Sequence, residues 1–383
     1  MSQAKSKVLL VCDDPESRVK GCDAVAYWSS FSEDDGAVSL SRIVETEAEA
    51  LKKRYLGFLH DLGETKIGGR TVVEHMAVRE DFSLWWMSLQ IEKSQWKPTQ
   101  LFNIFRVLAL ESYVAEHGFA KIRLRSANPL LQTVVRDWCV AAGIGFELHA
   151  DVERRRVERK QSVHEKLPYV LQAFVYFVRY LVHRWSLRKS CDTAFSNTNK
   201  QSIAFFSYFV NLDLNAASEG RFYTRYWTAL HDLIGAKGAE TNWMHLYLKS
   251  DGVEKPGKAI ALARGFRTKN ATQVHNFLDG FLTAGTLVRV LKDYSKLLLS
   301  AWRMRGIDKK FVPENTQVNL WPFLENEWKC SLYGKTSVLN AFFLGLFESA
   351  CASMPHQKWG FYLQENQGWE RSLIYAWHKA GHE

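Results

Sequence analysis

The sequence contains none of the short motifs that mark the common nucleotide-binding or hydrolytic enzymes. G-x-G-x-x-G, the phosphate-binding P-loop, H-E-x-x-H and G-x-S-x-G do not occur in its 383 residues. Dehydrogenases with the glycine fingerprint, P-loop enzymes and zinc peptidases are therefore not favoured. The 12 histidines do not cluster at the spacing of metal ligands, so we expect neither a bound metal nor a cofactor.

Cysteines are few, and none lies at C-x-x-C spacing. Isolated thiols fit a reducing compartment, where they stay free. The N-terminal stretch MSQAKSKVLLVCDD lacks the apolar core and the small-residue cleavage site of a signal peptide. We therefore expect a cytoplasmic location, peripheral on the inner membrane if the basic segment described below contacts lipid. The six cysteines are Cys12, Cys22, Cys139, Cys191, Cys330 and Cys351.

The net charge of +9 is uneven, and residues 152–189 hold much of the basic excess. A basic patch attracts nucleic acid, anionic lipid or a phosphorylated substrate. Zinc-finger spacing, the aromatic ribonucleoprotein motif and a basic zipper are all missing from the sequence. Nucleic acid is therefore not an expected partner.

Apolar runs of strand length alternate with helical patterns along most of the chain. This alternation predicts an α/β fold with one or two Rossmann-like parallel sheets and flanking helices. Parallel strands are expected at 7–12, 121–126, 145–148, 202–209, 243–248 and 358–364, with a further strand at 71–75. Helices are expected at 44–60, 100–117, 129–142, 221–235, 271–305 and 336–353. The predicted regions are an α/β part over 1–150, a basic apolar helix and linker over 151–200, and a second α/β part over 201–383.

The segment 152–189 predicts a basic amphipathic helical insertion. No charge falls between Lys166 and Arg179, and this gap is shorter than the roughly 20 apolar residues of a membrane-spanning helix. An interfacial helix with its arginines on anionic lipid would have this pattern, and so would a central core helix with one polar stripe. The stripe would consist of Glu165, Gln172, Arg179, His183 and Ser186. A second basic helix at 287–305 is more typical of an ordinary surface helix.

The last part of the chain predicts a strand, a polar turn and a helix. Residues 358–364 are apolar, ENQGWE follows at 365–370, and an apolar helical face at 371–380 ends before Gly381. Such a unit places ligands at the carboxyl end of the strand. Glu365 could then act as a general base or bind hydroxyl groups, with Asn366 and Gln367 beside it near a helix N-terminus. The alternative is a network that caps the helix.

Polar residues follow two other predicted strands. Asp13, with Asp14, ends the first strand and could serve as a base or bind a sugar hydroxyl; the alternative is a solvated turn or a helix cap. Asn211 and Asp213 follow the strand at 202–209, and Arg221 lies in the next turn. Polar side chains at the carboxyl end of a strand suit a pocket for a sugar or a phosphate.

Four segments of the chain resemble a family of bacterial surface-carbohydrate biosynthesis proteins found with O-antigen and capsule genes. Members of this family are similar to two-domain GT-B glycosyltransferases, and the resemblance spans nearly the whole chain. ENQGWE is its most specific part. The segments are SLWWMSLQIEKS (83–94), FFSYFVNLD (205–213), GRFYTRYW (220–227) and FYLQENQGWERSLIYAW (361–377).

The resemblance implies transfer of a sugar from a nucleotide-sugar donor to a glycan or lipid-linked acceptor, without a bound metal. Glu365 and Asp13 would be the catalytic candidates, and Asn366, Gln367, Asn211, Asp213 and Arg221 the substrate-binding ones. Family members continue into a further domain, so we expect this chain to carry the N-terminal, acceptor-binding portion. The alternative function is a non-catalytic partner that docks on the membrane within a polysaccharide assembly complex.

Overall fold

The computed structural model describes residues 7–19, 21–33, 36–92, 100–149, 167–190 and 202–383. The chain divides into two compact units whose segments interleave along the sequence, which the sequence analysis did not anticipate. The first unit comprises Met1–His75, Leu89–Lys166 and Ser300–Lys329. The second comprises Met76–Ser88, Leu167–Leu299 and Cys330–Glu383.

Strands and helices alternate through the described residues. The strands are β1 (Val8–Cys12), β2 (Ala24–Tyr27), β3 (Val38–Ser39), β4 (Lys66–Ile67), β5 (Arg70–Thr71), β6 (Lys121–Arg125), β7 (Gly145–Leu148), β8 (Ile203–Tyr208), β9 (Thr241–Leu246), β10 (Gln273–Phe277) and β11 (Trp359–Tyr362). The helices are α1 (Leu40–Thr46), α2 (Ala48–Glu64), α3 (Val72–His75), α4 (Leu101–His117), α5 (Pro129–Ala142), α6 (Tyr169–Arg184), α7 (Leu214–Ser218), α8 (Thr228–Lys237), α9 (Pro256–Lys269), α10 (Ala284–Arg303), α11 (Trp321–Leu332), α12 (Lys335–Ser353) and α13 (Gly368–Lys379).

The first unit contains a five-stranded parallel sheet in the order β3-β2-β1-β6-β7. Leu9 to Cys12 of the central strand are fully buried, as a parallel strand covered on both faces requires. After β3 the chain returns to the other side of β1 to form β6. This reversal creates a switch point between β1 and β6, where open α/β sheets bind their ligands.

The second unit contains a four-stranded parallel sheet in the order β10-β9-β8-β11. Strands β8, β9 and β10 extend in one direction, and β11 adds to the free side of β8. The switch point of this sheet therefore lies between β8 and β11. Both sheets thus have the strand order of doubly wound nucleotide-binding folds.

Alternating side chains of the second sheet belong to two different hydrophobic clusters. Phe205 and Trp243 pack with α8 and α9, and their ring centroids lie 4.3 Å apart. Phe206 and Met244 pack with α12 and α13 on the opposite face. Since successive side chains of a strand point to opposite faces, near-continuous apolar runs such as FFSYF suit this position.

Segment 76–88 belongs to the second unit because an ion-pair cluster and a backbone contact hold it there. The guanidinium of Arg79 lies 2.7 Å from a carboxylate oxygen of Asp293 and 2.8 Å from one of Glu348. The amide of Asn340 on α12 donates a 2.6 Å hydrogen bond to the carbonyl oxygen of Met87. In the first unit, Glu111 of α4 similarly accepts a 2.6 Å hydrogen bond from the Thr316 hydroxyl.

The six predicted parallel strands are confirmed, with ends that shift by at most two residues. The predicted strand at 71–75 is wrong, because Thr71 and Glu74 form a reciprocal capping pair that starts α3. The Glu74 carboxylate accepts from the Thr71 N–H at 2.7 Å, and the Thr71 hydroxyl accepts from the Glu74 N–H at 3.1 Å. The β-branched residues Val72 and Val73 had suggested a strand.

Three predicted helices also differ from the structure. The helix at 44–60 is divided at Glu47 into α1 and α2. The predicted helix at 271–305 contains the missed strand β10, and α10 begins only after Thr283, whose hydroxyl accepts from the Thr286 N–H at 3.1 Å. Residues 221–227 form a loop rather than the first part of the helix at 221–235, so α8 starts at Thr228.

The final strand, turn and helix are present, but β11 is an edge strand, and its apolar side chains are largely exposed. Trp359 is 57% exposed and Phe361 43% exposed. Gly360 allows α13 to approach this strand, because a Cβ atom at Gly360 would lie 2.8 Å from the ring of Trp377. Gly381 follows α13 with φ +78°, the left-handed conformation expected after a helix end.

None of the helices in the described part of the chain is both long enough and apolar enough to span a bilayer.

A buried histidine pair bridges β9 and β10 in the aromatic cluster of the second unit. His245 Nε2 lies 3.0 Å from His275 Nδ1, and the ring of Phe222 contacts both. Burial lowers the pKa of His275 to about 3 and that of the neighbouring His231 to about 4. It also lowers the pKa of His245 well below its usual value.

These depressed pKa values predict a loss of stability in mild acid. Above a pH of about 6.5 the histidines are neutral in both states, but below it only the unfolded chain binds their protons readily. The denaturant midpoint should therefore fall as the pH is lowered from about 6.5 toward the folded-state pKa values of about 4 and about 3. Chemical denaturation at a series of pH values measures this slope.

Replacing His275 with Gln should make the slope shallower, whereas replacing the exposed His378 with Gln should leave it unchanged. Equal slopes in wild type and His275→Gln would contradict a role for the buried pair.

Candidate functional site

The switch point of the second sheet brings the residues after β8 beside the residues after β11. Phe206 of β8 is in register with Tyr362 of β11, so both strands end at the same edge of the sheet. Asn211 follows β8 and Glu365 follows β11. The proximity of these two polar segments is therefore a consequence of the strand order.

The loop after β8 folds back on itself and carries a third polar residue to this edge. Leu212 forms an antiparallel bridge with Thr224, and the Arg225 N–H donates a 3.1 Å hydrogen bond to the carbonyl oxygen of Asn211. Asn211 has φ +54°, a left-handed conformation that asparagine tolerates better than most residues. This hairpin-like loop places Tyr226 next to Asn211.

Tyr226, Asn211 and Glu365 form the cluster that we define as the strand-end site. Burial and then the negative charge of Glu365 raise the pKa of the Tyr226 phenol, and a hydrogen bond from the Asn211 side chain opposes the shift. The phenol is therefore neutral at physiological pH and can donate to a ligand oxygen. The site combines a carboxylate, a phenol and an amide, which together match the donors and acceptors of sugar hydroxyls.

The N-terminus of α13 is capped by Glu370, and not by the side chain of Glu365. One oxygen of the buried Glu370 carboxylate accepts from the Glu365 N–H at 2.8 Å and from the Gln367 N–H at 2.9 Å. Gln367 is the N-cap residue and completes a capping box with Glu370. The helix-capping network thus consists of Gln367 and Glu370. The Glu365 carboxylate is partly exposed and takes no part in it, so it can make other contacts.

Backbone conformation and packing keep the turn in place. Asn366 is exposed and has φ +56°, so the chain reverses direction there before α13 begins. Trp369 is buried, and its indole N–H donates a 2.6 Å hydrogen bond to the hydroxyl of Tyr208 at the end of β8. This hydrogen bond connects the turn to the strand that precedes Asn211.

The other two predicted substrate-binding residues have different contacts. The Asp213 carboxylate caps α7 by accepting from the N–H groups of Asn215 and Ala216 at 3.0 and 2.9 Å. Arg221 is exposed, and its guanidinium lies 5.5 Å from the ring centroid of Tyr223. The structure therefore gathers Asn211 and Glu365 at the strand-end site, and gives Asp213 a local structural role.

In the first unit, Asp13 lies at the corresponding switch point between β1 and β6. Its carboxylate accepts hydrogen bonds from the Ser126 hydroxyl and the Ala127 N–H, directly after β6. Burial raises the pKa of Asp13, and these hydrogen bonds reduce the shift. The neighbouring Asp14 is a cap, since its side chain accepts from the Ser17 N–H at 3.0 Å. Each of the two sheets thus has a carboxylate at its switch point.

Sequence reasoning missed Tyr226 and a buried anchor at the end of β10. Asp279 accepts 2.6 Å hydrogen bonds from the Tyr180 hydroxyl and from the Arg184 guanidinium, both on α6. The sequence pattern could have predicted Asp279 as a residue at a strand end, because the apolar run before Asp279-Gly280 resembles a strand that ends in a turn. The assignment of 271–305 to one helix concealed it.

Within the residues that the structure describes, no three His, Cys, Asp or Glu side chains are arranged to hold a metal ion. Comparisons with models of protein families, with curated protein sequences and with solved structures gave no significant match. The interpretation of the site therefore depends on its own chemistry.

The capping arrangement predicts unequal effects of two neighbouring glutamates on stability. Glu370→Ala removes an acceptor from two N–H groups and should lower the free energy of unfolding by about 1–3 kcal/mol. Glu365→Ala removes no cap and should change it by less than about 0.5 kcal/mol. Urea denaturation of the two variants measures both values, and equal losses would contradict the assignment of the cap to Glu370.

Proposed function

We propose that this protein transfers a sugar from a nucleotide-activated donor to a glycan or lipid-linked acceptor in bacterial surface polysaccharide biosynthesis. The observation that carries the proposal is the strand-end site, where a carboxylate, a neutral phenol and an amide converge at the switch point of a parallel sheet. Two sheets with the strand order of nucleotide-binding folds, and the resemblance of ENQGWE and three further segments to surface-carbohydrate proteins, also support it.

The strand-end site fits hydroxyl groups better than phosphates. A free helix N-terminus would favour an anion, but the carboxylate of Glu370 already occupies the N-terminus of α13. A second negative charge, from Glu365, lies at the same turn. An uncharged sugar with several hydroxyls meets donors in Tyr226 and Asn211 and an acceptor in Glu365 without repulsion.

In the proposed reaction, an acceptor hydroxyl attacks the anomeric carbon of the donor. A bond forms between that oxygen and the anomeric carbon, and the bond from this carbon to the phosphate oxygen breaks. The nucleotide leaves with the electron pair, and the hydroxyl proton passes to a carboxylate. Glu365 is the proposed base of the second unit, with Tyr226 and Asn211 orienting the sugar. Asn366 and Gln367 would contact substrate only through the exposed edge of the turn.

Asp13 is the corresponding candidate in the first unit. Its raised pKa favours proton uptake, and its hydrogen bonds with Ser126 and Ala127 fix its orientation. The adjacent Cys12 is not a candidate nucleophile, because burial and the nearby aspartates raise its pKa to about 12. Glu365 and Asp13 are therefore proposed as two alternative bases, and one variant of each can show which carboxylate the reaction needs.

The two sheets also bear on the expected relation to GT-B enzymes. The resemblance implied that the chain would carry the acceptor-binding portion, with the donor site on a further domain. Because the second unit has its own nucleotide-type sheet, we propose that either unit can contribute to donor binding. We also propose a cytoplasmic location, where nucleotide sugars are made.

A non-catalytic role within a polysaccharide assembly complex is the second candidate. It is favoured by the exposed apolar surface of α6, which would serve docking whether or not the strand-end site is catalytic.

The catalytic proposal predicts the behaviour of three conservative variants. The full chain should release nucleoside diphosphate or monophosphate from at least one member of a panel of nucleotide sugars, given a membrane extract as acceptor. Glu365→Gln keeps the side-chain size and should lower this rate by about 100-fold or more, with an unchanged melting temperature. Tyr226→Phe should raise the substrate concentration needed for half-maximal rate.

Asp13→Asn tests the first unit in the same assay. A rate that falls only in Asp13→Asn would transfer the role of base from Glu365 to Asp13. Asp213→Asn is the control, since it should affect the α7 cap and leave the rate per folded molecule unchanged. Wild-type turnover that survives in both Glu365→Gln and Asp13→Asn would overturn the assignment of both carboxylates.

A further inference from the structure

Helix α6 is firmly attached to the second unit along one side. Ala173 and Tyr180 are buried in the cluster formed with α12. The ring of Tyr180 stacks on Phe342 at 4.1 Å between centroids, and Phe177 stacks on the same ring at 5.4 Å. The position of α6 is therefore fixed without any contribution from its opposite side.

An ion pair fixes the C-terminal end of the same helix. Arg184 donates a 2.6 Å hydrogen bond to Asp279 and a 2.9 Å hydrogen bond to the carbonyl oxygen of Tyr247. Asp279 is only 1% exposed, so this pair is an internal anchor. Arg184 is consequently unavailable to an external anion, although its position in the sequence had suggested contact with lipid.

The opposite side of α6 exposes large apolar side chains at helical spacing. Phe174 is 64% exposed and Val182 is 71% exposed, which is unusual for such residues on a helix that also packs against a core. Five more apolar side chains of this segment are at least 39% exposed. We call this surface the α6 stripe; it consists of Val170, Leu171, Phe174, Val175, Val178, Val182 and Trp185.

The exposed Arg side chains that the structure describes in residues 167–190 give the α6 stripe a basic border. Arg179 and Arg188 are exposed, as is the imidazole of His183, and the guanidinium of Arg188 lies 3.8 Å from the ring centroid of Trp185. Residues 167–190 contain no Asp or Glu. Residues 152–166 of the predicted basic helix, with Glu165 of its polar stripe, lie outside the described residues. The predicted stripe is wrong at Gln172, which is buried and donates a 2.7 Å hydrogen bond to the carbonyl oxygen of Leu167.

We propose that the α6 stripe binds the surface of an anionic lipid bilayer, with α6 lying in the plane of the headgroups. The apolar side chains would enter the acyl boundary, while Arg179 and Arg188 contact lipid phosphates. Trp185 would sit at the polar boundary, where amphipathic aromatic rings are stable. Such docking suits an acceptor that is itself anchored in lipid, and it holds equally for a non-catalytic protein.

Charge complementarity favours lipid over a second copy of the chain. If two α6 stripes packed on each other, Arg179 and Arg188 of both copies would approach one another, and no acid in residues 167–190 could offset the repulsion. An anionic bilayer supplies both the apolar interior and the negative charge that this surface lacks.

Vesicle co-sedimentation of the full chain tests the proposal, with vesicles of phosphatidylcholine alone or mixed with phosphatidylglycerol. The protein should bind the mixed vesicles, and added salt should weaken the binding. Each basic side chain contributes about fivefold to such binding, so Arg179→Glu with Arg188→Glu should weaken it by at least about 25-fold. Phe174→Gln with Val182→Gln should also reduce it, by about tenfold or more.

A matched control carries the same change of charge at the end of α8 and at the residue before α9, both in the second unit. Lys237→Glu with Lys255→Glu should leave vesicle binding within about twofold of wild type, because both side chains are exposed and lie outside the α6 stripe. Circular dichroism of every variant checks the fold, and Arg184 is left unchanged because its replacement would break the anchor to Asp279.

Three outcomes would overturn the proposal. The first is vesicle binding that the Arg179/Arg188 and Phe174/Val182 variants retain at the wild-type level. The second is a wild-type protein that does not bind anionic vesicles. The third is a concentration-dependent dimer that only Phe174→Gln with Val182→Gln dissociates, which would assign the stripe to a second copy.

Discussion

The need to cover a parallel sheet on both faces determines the arrangement of the second unit. Phe205, Trp243 and Phe277 point to one side of its sheet, and Phe206 and Met244 point to the other. Each set requires its own layer of helices to exclude water. Because both faces are buried, polar side chains with a functional role can be accommodated mainly where the strands end.

This constraint explains why the polar residues collect at one edge. Asn211 follows β8 and Glu365 follows β11, and the two strands are neighbours because the chain reverses its direction of strand addition at β8. Tyr226 reaches the same edge through the fold-back of its loop. The histidines inside the aromatic cluster are neutral, because burial removes the water that would solvate a charged imidazole.

The polar side chains of the second unit fall into two groups. Some stabilise the fold through fixed local partners, and others can contact a ligand or a lipid. Glu370, Asp213 and Asp279 are used by helix caps and by an internal ion pair, so their carboxylates have fixed local partners. Glu365 lies within five residues of Glu370 and yet does not cap α13. The same division applies to α6 and the residues directly after it, where Arg184 is an anchor while Arg179 and Arg188 are exposed. Residue type alone does not separate the two groups.

Periodicity in the sequence was sufficient to predict six parallel strands, most of the helices, and the polar turn after the last strand. These features depend on the local pattern of apolar and polar residues along the chain. Periodicity failed at Thr71–Glu74, where a capping pair outweighed β-branched residues, and at β10, where a short strand was taken into a long helix.

Tertiary structure alone decided which polar residues meet. The contact of Tyr226 with Asn211 depends on a loop that folds back. Arg184 is an anchor because it meets Asp279, which follows β10 and is distant in sequence. Likewise, α6 was compatible with a core position or a membrane surface until the packing of one side on α12 left the other exposed. The sequence of a helix shows which side chains are apolar. Which of them another element covers is determined by contacts between residues far apart in the chain.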